Sequence, residues 1–214
     1  MDGKQCIIDA GKELLAGNLT VETWGNLSVR DPETGKIYLS PSGMDYTTCV
    51  PDDVVVLSPE GAVLEGKRKP SVEKDLHLLV YAHRPDVCAI VHTHPVFSTI
   101  FGCLGEEIPL FLDEGAQALG GPVKTCAYAL PGSRELAEYC AAALAGDTNA
   151  CLLQSHGAVC VGGSMKEAFK VARVLEMSAE IYWRIRSLGR EPLALDPKNI
   201  AWMRDFAKNR YGQR

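Results

Sequence analysis

The feature that most constrains the fold is the apolar run CAIV at residues 88–91, which leads directly into HTHP. A short continuous apolar run predicts a buried strand, and successive side chains of a strand point to opposite faces. His92 and His94 are therefore expected side by side on one face, while Thr93 points to the other. Two imidazoles at the end of a buried strand need polar partners. They are either hydrogen-bonded histidines or two ligands of a metal ion.

The bulk composition predicts a single domain spanning residues 1–214. The chain is 46% hydrophobic and 23% charged, which is ordinary for a globular protein with a substantial core. A net charge of −5 without a long basic run argues against nucleic acid or a membrane as the main partner and favours a small ligand. The chain shows no membrane span, no secretion signal and no C-x-x-C pair among its eight cysteines. We therefore expect a cytoplasmic protein with free thiols.

Helix and strand patterns alternate along the chain. Apolar periodicity predicts helices at 4–16, 71–83 (with Ser71 as N-cap), about 95–103, 133–145, about 165–187 and about 196–208. Besides the His-x-His strand, alternation and turn signals predict strands at 25–31, 35–41, 53–58, 61–66, 149–157 and 158–163, and residues 115–121 form a glycine-rich passage. No Gly-x-Gly-x-x-Gly follows a strand, which argues against dinucleotide binding. The expected fold is α/β, with a central mixed sheet flanked by helices.

Two further residues are candidates for the same site as the histidine pair. His156 ends the apolar run at 150–153 and is the natural third imidazole, because three histidines with one open position are typical of catalytic zinc. Glu73 lies in the first turn of a predicted helix and is either a fourth ligand or a residue of a solvated helix face. His77, four residues later, is either a partner of Glu73 at the metal or, as we favour, a packing residue behind it.

Three polar stretches resemble an anion-binding cradle, namely WGNLSV at 24–29, SPSGM at 40–44 and KPS at 69–71. Glycines in such stretches allow a phosphate to approach the backbone, while hydroxyls, an amide and a helix N-terminus supply donors. Ordinary turn chemistry is the alternative for each stretch taken alone. The candidate residues are Gly25, Asn26, Ser28, Ser42, Gly43 and Ser71.

These pieces occur in an order that resembles a known family. GNLSVR, SPSGM, KPSVE, VHTHP, YALPGSRELAE and QSHGAV, taken together, are similar to the class II aldolase/adducin family, and most of all to its L-fuculose-1-phosphate aldolases. The resemblance spans about residues 5–211. It implies a three-layer α/β/α sandwich around a mostly antiparallel sheet. It also implies a homotetramer with active sites between subunits.

The resemblance also implies the chemistry. The metal ligands of the family match Glu73, His92, His94 and His156, with one Zn²⁺ per subunit or another divalent ion in its place. Glu73 also matches the acid/base, and the phosphate positions match Gly25, Asn26, Ser42, Gly43 and Ser71. The implied reaction is the cleavage of a ketose 1-phosphate, such as L-fuculose 1-phosphate or a deoxypentulose 1-phosphate, to dihydroxyacetone phosphate and an aldehyde through an enediolate.

Two departures from the family pattern bear on the substrate. Where the fuculose-phosphate aldolases have a tyrosine that handles the aldehyde oxygen, this chain has Asp113 followed by Glu114, which are candidates for that role. The family has a second serine after the one matched by Ser71, and here that position is Val72. In contrast, Tyr211 matches a tyrosine that reaches an adjoining site and is a further catalytic candidate.

Several other functions use the same fold. A sugar-phosphate 4-epimerase, a methylthioribulose-1-phosphate dehydratase and a 3-oxo-tetronate 4-phosphate decarboxylase share the metal and an enediolate-like intermediate. A carboxylate at Asp113 or Glu114 suits several of them. A non-catalytic interaction domain of the adducin kind is the remaining alternative, and the intact ligand set argues against it because such a domain needs no convergent histidines.

Overall fold

The computed structural model describes residues 2–210, and within them one sheet forms the centre of the fold. Its strands are β1 (Asn26–Arg30), β2 (Ile37–Leu39), β3 (Val55–Leu57), β4 (Val63–Glu65), β5 (Ala89–Thr93), β6 (Thr125–Cys126), β7 (Ala150–Leu153) and β8 (Gly157–Gly162). Their order is β4-β3-β2-β1-β5-β8-β7-β6. Neighbouring strands are antiparallel, apart from the parallel pair β6 and β7. The predicted mostly antiparallel sheet is confirmed.

Helices cover both faces of this sheet. They are α1 (Gly3–Ala16), α2 (Lys74–His83), α3 (Val96–Leu104), α4 (Asp113–Ala118), α5 (Arg134–Ala143), α6 (Met165–Ser187) and α7 (Pro197–Asn209). One hydrophobic core joins α1, α3 and α6 to one face, and a second joins α2 and α5 to the other. No helix within residues 2–210 is both long and apolar enough to cross a membrane.

Strand β5 is central and buried on both faces, which explains its continuous apolar sequence. Ala89 and Val91 belong to the core beneath α1 and α6, whereas Ile90 belongs to the core beneath α2 and α5. Because side chains alternate, His92 leaves the strand on the same side as Ile90. The histidine therefore faces the layer that contains α2.

Some predicted segments differ from the structure. The strand predicted at 149–157 ends at Leu153, and residues 154–156 form a turn before β8. Helix α2 begins at Lys74, not at Ser71. The Ser71 N–H donates to the Ser40 carbonyl and its hydroxyl accepts the Glu73 N–H, so the backbone before Lys74 is held against the neighbouring chain segment and does not start a helix. The glycine-rich passage at 115–121 also overlaps helix α4, because Gly115 and Ala116 are buried small residues that allow close packing.

Candidate active site and metal centre

The three predicted histidines meet at one end of the sheet. His92 lies at the end of β5, His94 follows it, and His156 lies in the turn between β7 and β8. Because β8 pairs with β5, the turn is brought beside the His-x-His segment. The Nε2 atom of His92 is 3.1 Å from Nε2 of His94 and 3.3 Å from Nε2 of His156. This group could hold a metal ion.

A glycine permits this close arrangement. A Cβ atom on Gly157 would lie 2.2 Å from the backbone oxygen of Thr93 and 3.4 Å from the ring of His92. Any larger residue would push β8 away from the end of β5. Gly157 therefore holds His156 close to the histidine pair.

The protonation of the imidazoles suits metal binding. The Nδ1 atom of His92 lies 3.0 Å from the Ala158 carbonyl, which can only accept, so Nδ1 carries a proton and Nε2 is the atom that faces His94 and His156. Burial lowers the pKa of His94 to about 3 and that of His156 to about 4. Both rings are therefore neutral at physiological pH, as metal ligands must be.

Glu73 is buried beside the histidines, with only 4% of its surface exposed. Its Oε2 atom is 3.2 Å from Nε2 of His92, and Oε1 is 3.8 Å from Nε2 of His156. The alternative of a solvated helix residue is therefore wrong. Burial alone would raise the pKa of Glu73, but the imidazoles of His92 and His156 and the amide of Asn26 bring that pKa below its ordinary value.

The polar atoms around this cluster fit a bound cation. Among the described residues, Glu73 Oε1 is a buried side-chain atom without a hydrogen-bond partner, and it lies on the side of the carboxylate that faces Nε2 of His156. Unpaired buried polar atoms are costly, and a buried carboxylate needs a compensating positive charge. Three imidazole nitrogens and one carboxylate oxygen form a ligand set that suits zinc.

A cavity of about 580 Å³ opens onto the cluster. Its wall carries Glu73, His94 and His156, and also most of the predicted anion-binding residues, namely Gly25, Asn26, Ser42, Gly43 and Ser71. Gly25 has a φ of +76°, and a Cβ there would lie 2.6 Å from the His92 carbonyl oxygen. Glycine at this position therefore brings the polar stretch at 24–29 against the histidine cluster.

Ser28 does not reach this cavity. Its side chain is fully buried, and its hydroxyl lies 2.6 Å from His77 Nδ1 and 2.8 Å from the Tyr81 hydroxyl. The prediction that Ser28 donates to an anion is wrong for this reason. Asn26 and Ser28 share one face of β1, and that face packs inward against α2.

The remaining catalytic candidates are Asp113, Glu114 and Tyr211. Asp113 and Glu114 are exposed in the first turn of α4, and neither lines the cavity of its own chain. Tyr211 lies outside the described residues. The structure of one chain therefore does not bring Asp113 or Glu114 to the histidines.

Several cavity residues were not predicted. Thr23, Trp24, Pro131 and Ser155 also line the wall, together with Val72 at the position of the family's second serine. The ring of Trp24 stacks on His94 with a centroid distance of 6.1 Å and is 58% exposed. In the sequence, a tryptophan next to Gly25 in the polar WGNLSV stretch was a signal for a residue that contacts a ligand.

His77 is a packing residue behind the site, as favoured from the sequence. It is fully buried, and its two ring nitrogens contact Asn26 and Ser28. Burial lowers its pKa from 6.5 to about 3. The unfolded chain therefore takes up a proton at His77 as the pH falls through about 6.5, while the folded protein does not until about pH 3.

This difference predicts acid destabilisation. Between about pH 7.5 and about pH 5, the unfolding free energy of the metal-free protein should fall by about 2 kcal/mol more than that of the His77→Gln variant. Denaturant titrations of the chelator-treated proteins measure this difference. His83→Gln, on the exposed end of α2, is the matched control and should behave like the wild type. Equal pH dependence of the wild type and His77→Gln would contradict the prediction.

The family follows from comparison with known proteins. A sequence model of the class II aldolase and adducin N-terminal domain matches residues 5–183. The chain belongs to this family. It is 40% identical over 190 residues to the 5-deoxy-D-ribulose 1-phosphate aldolase of Bacillus thuringiensis serovar kurstaki, with 87% of each chain covered. It is 42% identical over 178 residues to the 5-methylthioribulose-1-phosphate/5-deoxyribulose-1-phosphate aldolase of Rhodospirillum rubrum, covering 83% of this chain and 79% of the relative.

A solved structure gives the same result. The structure of an L-fuculose 1-phosphate aldolase superimposes with a TM-score of 0.92 at 37% identity, covering 97% of this chain and 96% of the other. The family predicted from the sequence motifs is confirmed. The protein is an enzyme of the class II aldolase type, a lyase.

Proposed function

We propose that this class II aldolase cleaves a 5-deoxypentulose 1-phosphate to dihydroxyacetone phosphate and acetaldehyde, with one Zn²⁺ per subunit. The observation that carries the proposal is a single cavity whose wall joins a polar cradle to the Glu73 and histidine cluster. A phosphate in the cradle would place the carbonyl end of a short sugar beside the cluster. The two curated relatives named above support the 5-deoxy substrate.

The cradle provides donors for a phosphate. The Ser71 hydroxyl accepts the N–H of Glu73, so its own O–H remains free to donate into the cavity. Gly43 has a φ of +62° and open space around its Cα, which allows a phosphate to approach the backbone closely. Val72, which is 65% exposed on the same wall, contributes no hydroxyl.

Glu73 is the acid/base of the proposed reaction. When bound, the cation supplies the positive charge that stabilises the two enediolate oxygens of the substrate. In cleavage, the C4 hydroxyl loses its proton, the C3–C4 bond breaks, and its electron pair enters the dihydroxyacetone phosphate half. Glu73 then delivers a proton to C3, and the aldehyde leaves with C4. Acid/base help of this kind contributes roughly 10²–10⁴-fold to the rate.

The proton on the C4 hydroxyl needs a second base, and we assign it to Asp113 or Glu114 of a neighbouring subunit. Both carboxylates are exposed and absent from the cavity of their own chain, as expected of residues that serve another chain. Tyr211 is assigned to the same neighbouring site on the strength of the sequence resemblance. A homotetramer with sites between subunits would bring these groups together.

Apolar side chains on α3 and α6 support such an assembly. Large apolar side chains with a high exposed fraction are Val96 at 69%, Leu104 at 60% and Trp183 at 40%. The ring of Phe97 lies 5.7 Å from that of Trp183, so the two helices present one surface. Contact with further copies of the chain would remove this apolar surface from water.

Subunit complementation tests the shared site. His92→Ala and Tyr211→Phe should each be impaired as pure oligomers, and co-refolding the two together should recover part of the activity. Recovery is expected because some mixed interfaces pair intact metal ligands with an intact tyrosine. Glu114→Gln combined with His92→Ala is the parallel test for the carboxylate. An unimpaired Tyr211→Phe enzyme, or mixed oligomers without recovery, would contradict the assignment of that tyrosine.

A product assay tests the proposed reaction. The zinc-loaded enzyme should convert 5-deoxy-D-ribulose 1-phosphate to equal amounts of dihydroxyacetone phosphate and acetaldehyde, and a chelator should stop the reaction. D-ribulose 1-phosphate, which differs only by the C5 hydroxyl, is the matched comparison. Its kcat/KM should be lower by about tenfold, because Trp24, Val72 and Pro131 give the cavity rim an apolar character. A 4-epimer or a dehydrated ketone as the product would overturn the aldolase assignment.

A further inference from the structure

A row of buried polar side chains extends from Glu73 into the protein, away from the cavity. The Asn26 Nδ2 atom lies 2.8 Å from Glu73 Oε2, and Asn26 Oδ1 contacts His77 Nε2. Ser28 Oγ lies 2.6 Å from His77 Nδ1 and 2.8 Å from the hydroxyl of Tyr81. None of these five side chains is more than 6% exposed.

The row results from the regular spacing of side chains along helix α2 and strand β1. His77 and Tyr81 are four residues apart in α2 and Glu73 caps that helix, so all three lie on one side of it. Asn26 and Ser28 are two residues apart in β1 and share one face of that strand. The two sets interleave between helix and sheet.

Only one arrangement of protons satisfies the whole row. A carboxylate accepts hydrogen bonds, so Asn26 must turn its NH₂ group to Glu73 and its Oδ1 to His77. His77 Nε2 then carries the proton, which leaves Nδ1 of the neutral ring as an acceptor for the Ser28 hydroxyl. Ser28 in turn accepts from Tyr81. Each group thereby fixes the orientation of the next.

We propose that Asn26 and His77 are positioning residues for Glu73, and that Ser28 and Tyr81 fix the tautomer of His77. The amide of Asn26 holds Oε2, so that Oε1, which has no hydrogen-bond partner among the described residues, is turned toward His156. The Asn26 side chain therefore serves the acid/base and not the phosphate. This inference rests on the proposed function, in which Glu73 moves a proton.

The experiment compares His77→Leu with His77→Gln, both as full-length, zinc-saturated enzymes. Leucine removes the donor to Asn26, whereas the amide of glutamine can donate to Asn26 and accept from Ser28. His77→Leu should lower kcat about 10- to 100-fold, with zinc content and KM unchanged, and His77→Gln should restore most of the rate. His83→Leu, on the exposed end of α2, is the matched control and should retain the wild-type rate. Where His77→Leu does not fold, Ser28→Ala takes its place and should lower kcat about tenfold.

A wild-type kcat in zinc-loaded His77→Leu or, where that variant does not fold, in Ser28→Ala would overturn the inference. A loss of activity that His77→Gln does not restore would do the same. A wild-type enzyme without cleavage activity would instead refute the proposed function. In that case the ¹⁵N NMR signals of the His77 ring still decide the inference, since a protonated Nε2 and a bare Nδ1 support it and the reverse overturns it.

Discussion

The His92→Ala variant is expected to lose both its bound metal and its activity. The Nε2 atom of His92 lies within 3.3 Å of Nε2 of both His94 and His156, so its loss removes the central ligand of the cluster. Loss of the cation should reduce cleavage on the order of 10³-fold, because its charge stabilises the enediolate by several kcal/mol. Elemental analysis and the cleavage assay on the same sample measure the two losses, and the wild type should hold about one divalent ion per chain.

Two controls separate this result from unfolding. His92 is fully buried and donates to Ala158, so its removal also costs stability, and the thermal transition of the variant must be recorded. His94→Ala removes a less buried ligand and should show the same loss of metal with a smaller effect on stability. His83→Ala should keep metal and activity. Full metal and full turnover in His92→Ala would show that the histidines are packing residues and not ligands.

Much of the fold was predictable from the sequence because local patterns were strong. Helix α6 coincides with the predicted 165–187, where apolar periodicity and the N-cap Ser164 agree. The meeting of His92, His94 and His156 could also be anticipated, because each lies where an apolar strand ends. This prediction used only the two-residue repeat of side chains along a strand and the length of each apolar run, and neither requires knowledge of the tertiary structure.

The failures concern residues whose role depends on which layer packs over them. Asn26 and Ser28 lie on one face of β1, yet only Asn26 reaches the cavity, because His77 and Tyr81 of α2 cover Ser28. The partners of Ser28 lie 49 and 53 residues away in the sequence, and no local pattern reveals them. The start of α2 was misplaced for a similar reason, since a hydrogen bond to Ser40 holds the backbone of Ser71 outside the helix.

The burial of Glu73 was another tertiary effect. Its position before α2 is compatible with a solvated face, and only the packing of α2 against β1 buries it beside His92. Asp113 and Glu114 show the converse case. Their sequence position predicted a role near the aldehyde, yet both are exposed on α4 and neither lines the cavity of its own chain.

The Glu73→Gln variant separates metal binding from proton transfer. Glutamine can still offer an oxygen to the cation, but it cannot exchange a proton with carbon. At saturating zinc, the variant should retain its metal and lose turnover by roughly 10²–10⁴-fold. Glu176→Gln is a matched control at a carboxylate that binds the N–H groups of Phe97 and Ser98 and does not line the cavity. The Glu176→Gln variant should retain wild-type turnover.

The most direct test of Glu73 as the acid/base is hydrogen exchange from dihydroxyacetone phosphate in heavy water. This half-reaction requires no aldehyde, so it does not depend on Asp113, Glu114 or Tyr211, which we propose act on the aldehyde half. The zinc-loaded wild type should exchange one hydrogen of the C3 carbon, and zinc-loaded Glu73→Gln should exchange it at least about 100-fold more slowly. Wild-type exchange in a Glu73→Gln sample with full metal content would place the base on another residue and contradict the mechanism.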